Sequence, residues 1–102
     1  MVTHILTDEV PDPPRMGVGD LVEVHLVENA GTGHLWRVTA CPAFLRPLGE
    51  ETLHTRHAAG ASGLRVLTFE ADAAGSAELA LELRRPWEDA PLRTASWVVR
   101  VG

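Results

Sequence analysis

No lysine, tyrosine or glutamine occurs in this 102-residue chain, and it carries one cysteine and one asparagine. Each shortage excludes some chemistry. Without lysine there is no Schiff base and no phosphate-binding P-loop lysine. With Cys41 alone there is no intrachain disulfide, no paired-thiolate motif and no cysteine zinc cluster. No apolar run approaches the ~18 residues of a membrane-spanning helix, so a membrane partner is not expected. Positive charge is also short: nine basic residues, all arginine, against fourteen acidic ones give a net charge of −5. A nucleic-acid binder needs a basic face to displace counterions from phosphates, so that class is set aside. Met1–Leu6 lacks the basic start and long apolar stretch of a signal peptide, and acids and prolines follow at once. As given, the chain reads as cytoplasmic; one exported by another route, or trimmed, would read the same.

What remains is ordinary globular material. The AVILMFWYC set makes up 45% and charged residues 23%, which predicts a folded core. The length suits one domain, 1–102, with a first strand and proline-rich loop in 1–18 and the main body in 19–102. Strand signals recur at short spacing. They cover about Thr3–Thr7, Asp20–Val27, Leu35–Ala40, Thr52–Ala58 (polar, an edge), Leu64–Ala71, Ser76–Arg84 and Thr94–Val101. In most of these, apolar residues alternate with polar ones, the mark of a sheet with one buried and one wet face. Val22, Val24 and Leu26 face inward, as do Leu79, Leu81 and Leu83, and Trp97, Val99 and Val101. Ser76–Arg84 has helix-favouring composition, but its alternation is strict and Gly75 and Pro86 bound it, so it reads as a strand. Short strands separated by Gly/Pro turns predict an all-β chain, a sandwich or barrel.

Chemistry-bearing side chains are scattered. His54 and His57 sit three apart, which in a strand points them to opposite faces, the wrong geometry for chelation. Cys41, before Pro42, reads as a buried structural thiol. None of the three serines stands in a nucleophile-elbow motif. Glu50-Glu51 and Glu88-Asp89 read as solvated turns. No catalytic residue, metal site or cofactor is expected, and the chain does not read as an enzyme. Trp36 and Trp97 lie on strand faces and read as core. Trp87 follows Pro86 and precedes two acids, so it reads as exposed. An exposed tryptophan calls for a reason.

Three connections stand out: Asn29-Ala30-Gly31-Thr32-Gly33 followed by His34 and Trp36; Gly60-Ala61-Ser62-Gly63; and Arg85-Pro86-Trp87. Taken singly, the first is a plain turn and the second a flexible loop. Arg85 leaves two roles open, an ion pair within its own loop or contact with a partner. Jointly and in this order, the three resemble the chagasin-type inhibitors of papain-like cysteine peptidases. That family has an Asn-Pro-Thr-Thr-Gly loop followed by an aromatic residue and then Trp, a Gly-x-Gly-Gly loop leading into a strand ending in Phe, and an Arg-Pro-Trp loop. The resemblance runs from about Gly19 to Val101 and takes in Gly19-Asp20 and Phe69-Glu70-Ala71. Ala30 replaces Pro, Gly31 replaces Thr, His34 replaces Tyr or Phe, and Ser62 replaces Gly.

The resemblance implies an immunoglobulin-like β-sandwich of seven to eight short, mainly antiparallel strands, with the three loops at one end. It implies a reversible inhibitor that wedges those loops into the active-site cleft of a papain-like cysteine peptidase. The binding residues would be Asn29, Ala30, Gly31, Thr32, Gly33, His34, Gly60, Ala61, Ser62, Gly63, Arg85, Pro86 and Trp87. The alternative is an immunoglobulin-like protein-binding module that has lost inhibition, since the first loop has drifted. Loss of Pro and Thr is expected to loosen that loop and weaken inhibition. A monomer is expected, with an edge-strand dimer as the alternative.

Overall fold

Seven strands form two sheets in the computed structural model, which describes residues 1–8, 10–54 and 63–102. They are β1 (Thr3–Leu6), β2 (Leu21–Glu28), β3 (Leu35–Ala40), β4 (Leu45–His54), β5 (Gly63–Ala71), β6 (Gly75–Arg84) and β7 (Arg93–Val101). One sheet has the order β1-β2-β5-β4 and the other β3-β6-β7. Their inner faces meet over a single core, the arrangement of an immunoglobulin-like sandwich.

Alternation places the core as expected. Val22, Val24 and Leu26 of β2 are buried, as are Leu79, Leu81 and Leu83 of β6 and Val99 and Val101 of β7. Both core tryptophans also satisfy their ring N–H groups, as buried indoles must. Trp36 Nε1 donates to the Val27 carbonyl at 2.8 Å and Trp97 Nε1 to the Thr7 carbonyl at 3.2 Å. Ser76–Arg84 lies within β6, paired with β7 from Gly75↔Val101 to Leu83↔Arg93. Tertiary pairing overrides the helix propensity of its Ala, Leu and Glu residues.

Two expectations need correction. The polar edge strand begins at Leu45 rather than Thr52, so Glu50-Glu51 are strand residues; the expected stretch 55–58 lies outside the described residues. This strand contains Pro47 and Gly49, residues that ordinarily interrupt strands. At an edge, however, proline forfeits no ladder bond, and a register shift between Pro47 and Gly49 absorbs the irregularity. The strands are mainly antiparallel, as expected; the exception is β1, which runs parallel to β2 with Thr3↔Leu21 through Leu6↔Val24. A parallel neighbour needs a long connection, which residues 7–20 supply. That connection carries Met16, buried at 2% exposure and bridged to Val101. The second correction is Cys41, which is exposed rather than buried. It lies just past the last residue of β3, before Pro42, with its thiol near the Pro42 and Leu45 carbonyls. The shelter it retains raises the thiol pKa, so it is a poor thiolate nucleophile.

Candidate functional site

The first and third loops close on each other at one end of the sandwich. In the first, Ala30–Thr32 form a single 3-10 turn between β2 and β3. Asn29 organises it: its Oδ1 accepts the Gly31 N–H at 3.0 Å, and its carbonyl accepts the Thr32 N–H at 3.2 Å and the Thr32 hydroxyl at 2.9 Å. Asparagine is suited to this because its amide oxygen reaches a backbone N–H two residues on. Gly33 has φ +79, the left-handed region that glycine enters without cost. These bonds counter the loosening expected from the missing proline and threonine.

The third loop is a turn in which the Glu88 N–H donates to the Arg85 carbonyl at 3.1 Å. Pro86 occupies its second position, where a fixed φ preorganises the turn. Arg84 Nη1 braces it by donating to the Glu88 carbonyl at 2.8 Å. Trp87 is 73% exposed at the tip. Its ring edge nevertheless passes close to the first loop: a Cβ built on Gly33 would stand 3.5 Å from Trp87 Cη2.

Of the two roles left open for Arg85, the ion pair within its own loop is present, beside a bond to the first loop. Its Nε donates to the Thr32 carbonyl at 2.7 Å, which ties the third loop to the first. Its Nη1 lies 3.7 Å from Glu88 Oε1 within its own loop. His34 Nε2 lies 3.4 Å from the same Glu88 oxygen. Glu88 is therefore half-buried between the loops, not a solvated turn residue, while Asp89 is exposed. Of the second loop, Gly60, Ala61 and Ser62 lie outside the described residues. Gly63 opens β5 and pairs with Glu28, which directly precedes Asn29, so the roots of the first and second loops adjoin.

Beneath those roots lies a pair the sequence reading missed. Glu28 is a buried carboxylate, 3% exposed. It accepts the Trp36 backbone N–H at 2.8 Å and Arg65 Nη2 and Nε at 2.9 and 3.3 Å. Arg65 Nη1 is also 3.5 Å from Glu50. The signal was present in the alternation: Glu28 continues the inward series Val22, Val24, Leu26, and Arg65 continues the inward series from Phe69 and Leu67. Two opposite charges at the ends of facing inward rows neutralise each other where the core meets the loops.

A family model described as "Chagasin family peptidase inhibitor I42" matches residues 15–101. The chain belongs to this family. No curated protein matches it in sequence. Among solved structures, the chagasin-family chain is similar to the cysteine protease inhibitor EhICP2 from Entamoeba histolytica, with TM-score 0.89 and 23% identity over 99% of this chain and 96% of that one. It is similar to amebosin, with TM-score 0.76 and 25% identity over 97% and 98%. A more distant likeness, TM-score 0.55 and 16% identity over 97% and 87%, is to PbICP-C, solved in complex with falcipain-2. The fold expected from the resemblance is thus the fold observed.

Proposed function

We propose that this chagasin-family chain, acting as a single domain and a monomer, is a reversible inhibitor of papain-like cysteine peptidases. The binding face is the loop end: Asn29–His34, Gly60–Gly63 and Arg85–Trp87. The observation that carries this reading is Trp87, held out to solvent on a proline-braced turn whose base is bonded to the neighbouring loop. A rigid, exposed tryptophan is the residue type that most often anchors an interface, contributing ~2 kcal/mol or more. Loops already tied together lose little entropy on docking. The family match and the EhICP2 likeness support the target class, and the PbICP-C complex with falcipain-2 shows that a protein of similar fold engages a peptidase. Glycines at 31 and 33 keep side-chain bulk off the first loop, which lets backbone approach an enzyme surface closely. Binding without a scissile bond set in substrate geometry blocks the cleft reversibly.

Titration of papain and a cathepsin L-type peptidase with the protein, beside Trp87→Ala, tests this. Reversible inhibition lost in the variant supports the reading. No inhibition by the folded protein of either enzyme overturns it and favours a binding module that has kept the fold.

A further inference from the structure

His34 stands where the family pattern has Tyr or Phe, and its ring is held between the two described loops. Nδ1 lies 3.0 Å from Thr32 Oγ1, and Nε2 lies 3.4 Å from Glu88 Oε1. The Thr32 hydroxyl is also 2.9 Å from the Asn29 carbonyl, which can only accept. Its proton is committed there, so Thr32 Oγ1 meets the imidazole with a lone pair and Nδ1 carries the ring hydrogen. A neutral imidazole has one N–H. In that state Nε2 presents a lone pair to a carboxylate oxygen.

Glu88 Oε1 is itself an orphan: it is a buried oxygen with no hydrogen-bond donor. The neighbouring arginines do not reach it within hydrogen-bond distance. Arg85 Nη1 stops at 3.7 Å because its Nε is anchored on the Thr32 carbonyl. Arg84 spends Nη1 on the Glu88 carbonyl and lies 2.9 Å from Glu82 through Nε. Thr32 from its own loop and Glu88 with Arg85 from the third loop are the polar and charged groups facing this ring among the described residues.

We infer that His34 is a positioning residue, which on taking a second proton bonds the first loop to the third through Glu88 and tightens the binding face as pH falls. The inference rests on the reading of that face as peptidase-binding. Protonation places an N–H on Nε2, which at 3.4 Å stands nearer Glu88 Oε1 than Arg85 Nη1 does at 3.7 Å. A repulsive lone-pair contact becomes a charge-assisted hydrogen bond, which draws in to ~2.7–2.9 Å. Trp87 and Gly33 sit on the two segments being joined, so the joint narrows the positions the tryptophan can take relative to the first loop. Less ordering is then left to be done on docking.

Two measurements test it. The first uses the free protein: nitrogen and proton NMR of the His34 ring, the Gly33 amide and the Trp87 indole, followed from about pH 8 to about pH 5, where histidines change charge. The neutral ring is expected as the Nδ1–H tautomer. The Gly33 and Trp87 signals are expected to move with the His34 midpoint in the wild type and to lose that step in Glu88→Gln, whose amide supplies a donor at every pH. The second measurement takes the ratio of inhibition constants, Glu88→Gln over wild type, against one peptidase at each pH, so that the enzyme's own titration cancels. That ratio should grow about threefold to fivefold over the range, the size of a half-exposed ion pair. His34→Phe should give a flat ratio to Glu88→Gln. A constant wild-type ratio, or loop signals that ignore the His34 midpoint, overturns the inference while leaving the inhibitor reading intact. Loop signals that follow His34 in a protein that inhibits no peptidase uphold the latch and overturn the inhibitor reading.

Discussion

The carboxylate of Glu28 and the guanidinium of Arg65 meet at 2.9 Å just below the loop end, joining the residue before the first loop to the strand that leaves the second. Removing one partner leaves the other charge buried or nearly so, and that is the costly way to break such a pair. Glu28→Ala is expected to lower stability by about 3 kcal/mol, read by urea unfolding. It also frees the Trp36 N–H. A loss within the ordinary surface range of about 0.5 kcal/mol would refute the buried role.

Two tryptophans separate folding from binding. Trp87→Ala should leave stability within about 0.5 kcal/mol of the wild type, since the ring is mostly in solvent, and weaken peptidase binding by about 2 kcal/mol or more. Trp36→Ala should cost about 3–5 kcal/mol of stability. Thermal unfolding and inhibition constants measured on both variants check the pair of outcomes. Unfolding caused by Trp87→Ala would contradict its place at a loop tip.

The bond from Arg85 to the Thr32 carbonyl is the direct tie between the loops. Arg85→Ala should lower stability by only about 1 kcal/mol, the net worth of one hydrogen bond. Inhibition should weaken about tenfold, because the loops must then be ordered at the moment of docking. Equal and small effects on both would show that the tie does not organise the face.

Asp20 sets the acid behaviour of the N-terminal strand. His4 at 3.0 Å, together with the backbone N–H groups of Gly17 and Val2, holds its carboxyl at about 2, below the ordinary 3.8. A lowered carboxylate stabilises the fold fully above its unfolded pKa and loses that effect as pH falls through the folded value. The melting temperature of the wild type should therefore exceed that of Asp20→Asn above about pH 4, and the gap should close towards about pH 2. A gap that persists at the acid end would place the stabilisation elsewhere.

Restoring the family residues in the first loop has an asymmetric outcome. Ala30→Pro falls at the start of a helical turn, where proline is favoured, and should tighten inhibition. A side chain at 31 begins 3.2 Å from Asn29 Oδ1, the atom that holds the turn. Gly31→Thr must push that amide aside, so its added hydroxyl should gain little unless Asn29 rearranges. Inhibition constants for the two single variants and the double variant decide this.

The strand count, the core faces, the two buried tryptophans and the exposed Trp87 were legible in the sequence. They follow from period-two alternation and from turn residues, which act over a few neighbours and leave a local trace. The full extent of β4 was not legible, because whether Pro47 and Gly49 break a strand depends on its lying at a sheet edge. Nor was the exposure of Cys41, which depends on β3 ending one residue before it.

By itself, then, the sequence determined an all-β chain, sandwich or barrel, carrying three marked loops, through patterns of apolar alternation, glycine and proline; the family resemblance pointed to the sandwich. Tertiary structure alone decided how those loops are held. Arg85 meets Thr32 across 53 positions and Arg65 meets Glu28 across 37. His34 and Glu88 face each other only because β3 and β6 pair from Leu35↔Arg84. The reason is physical: a polar pair is specified by distance and direction between side chains, and the register of paired strands sets both.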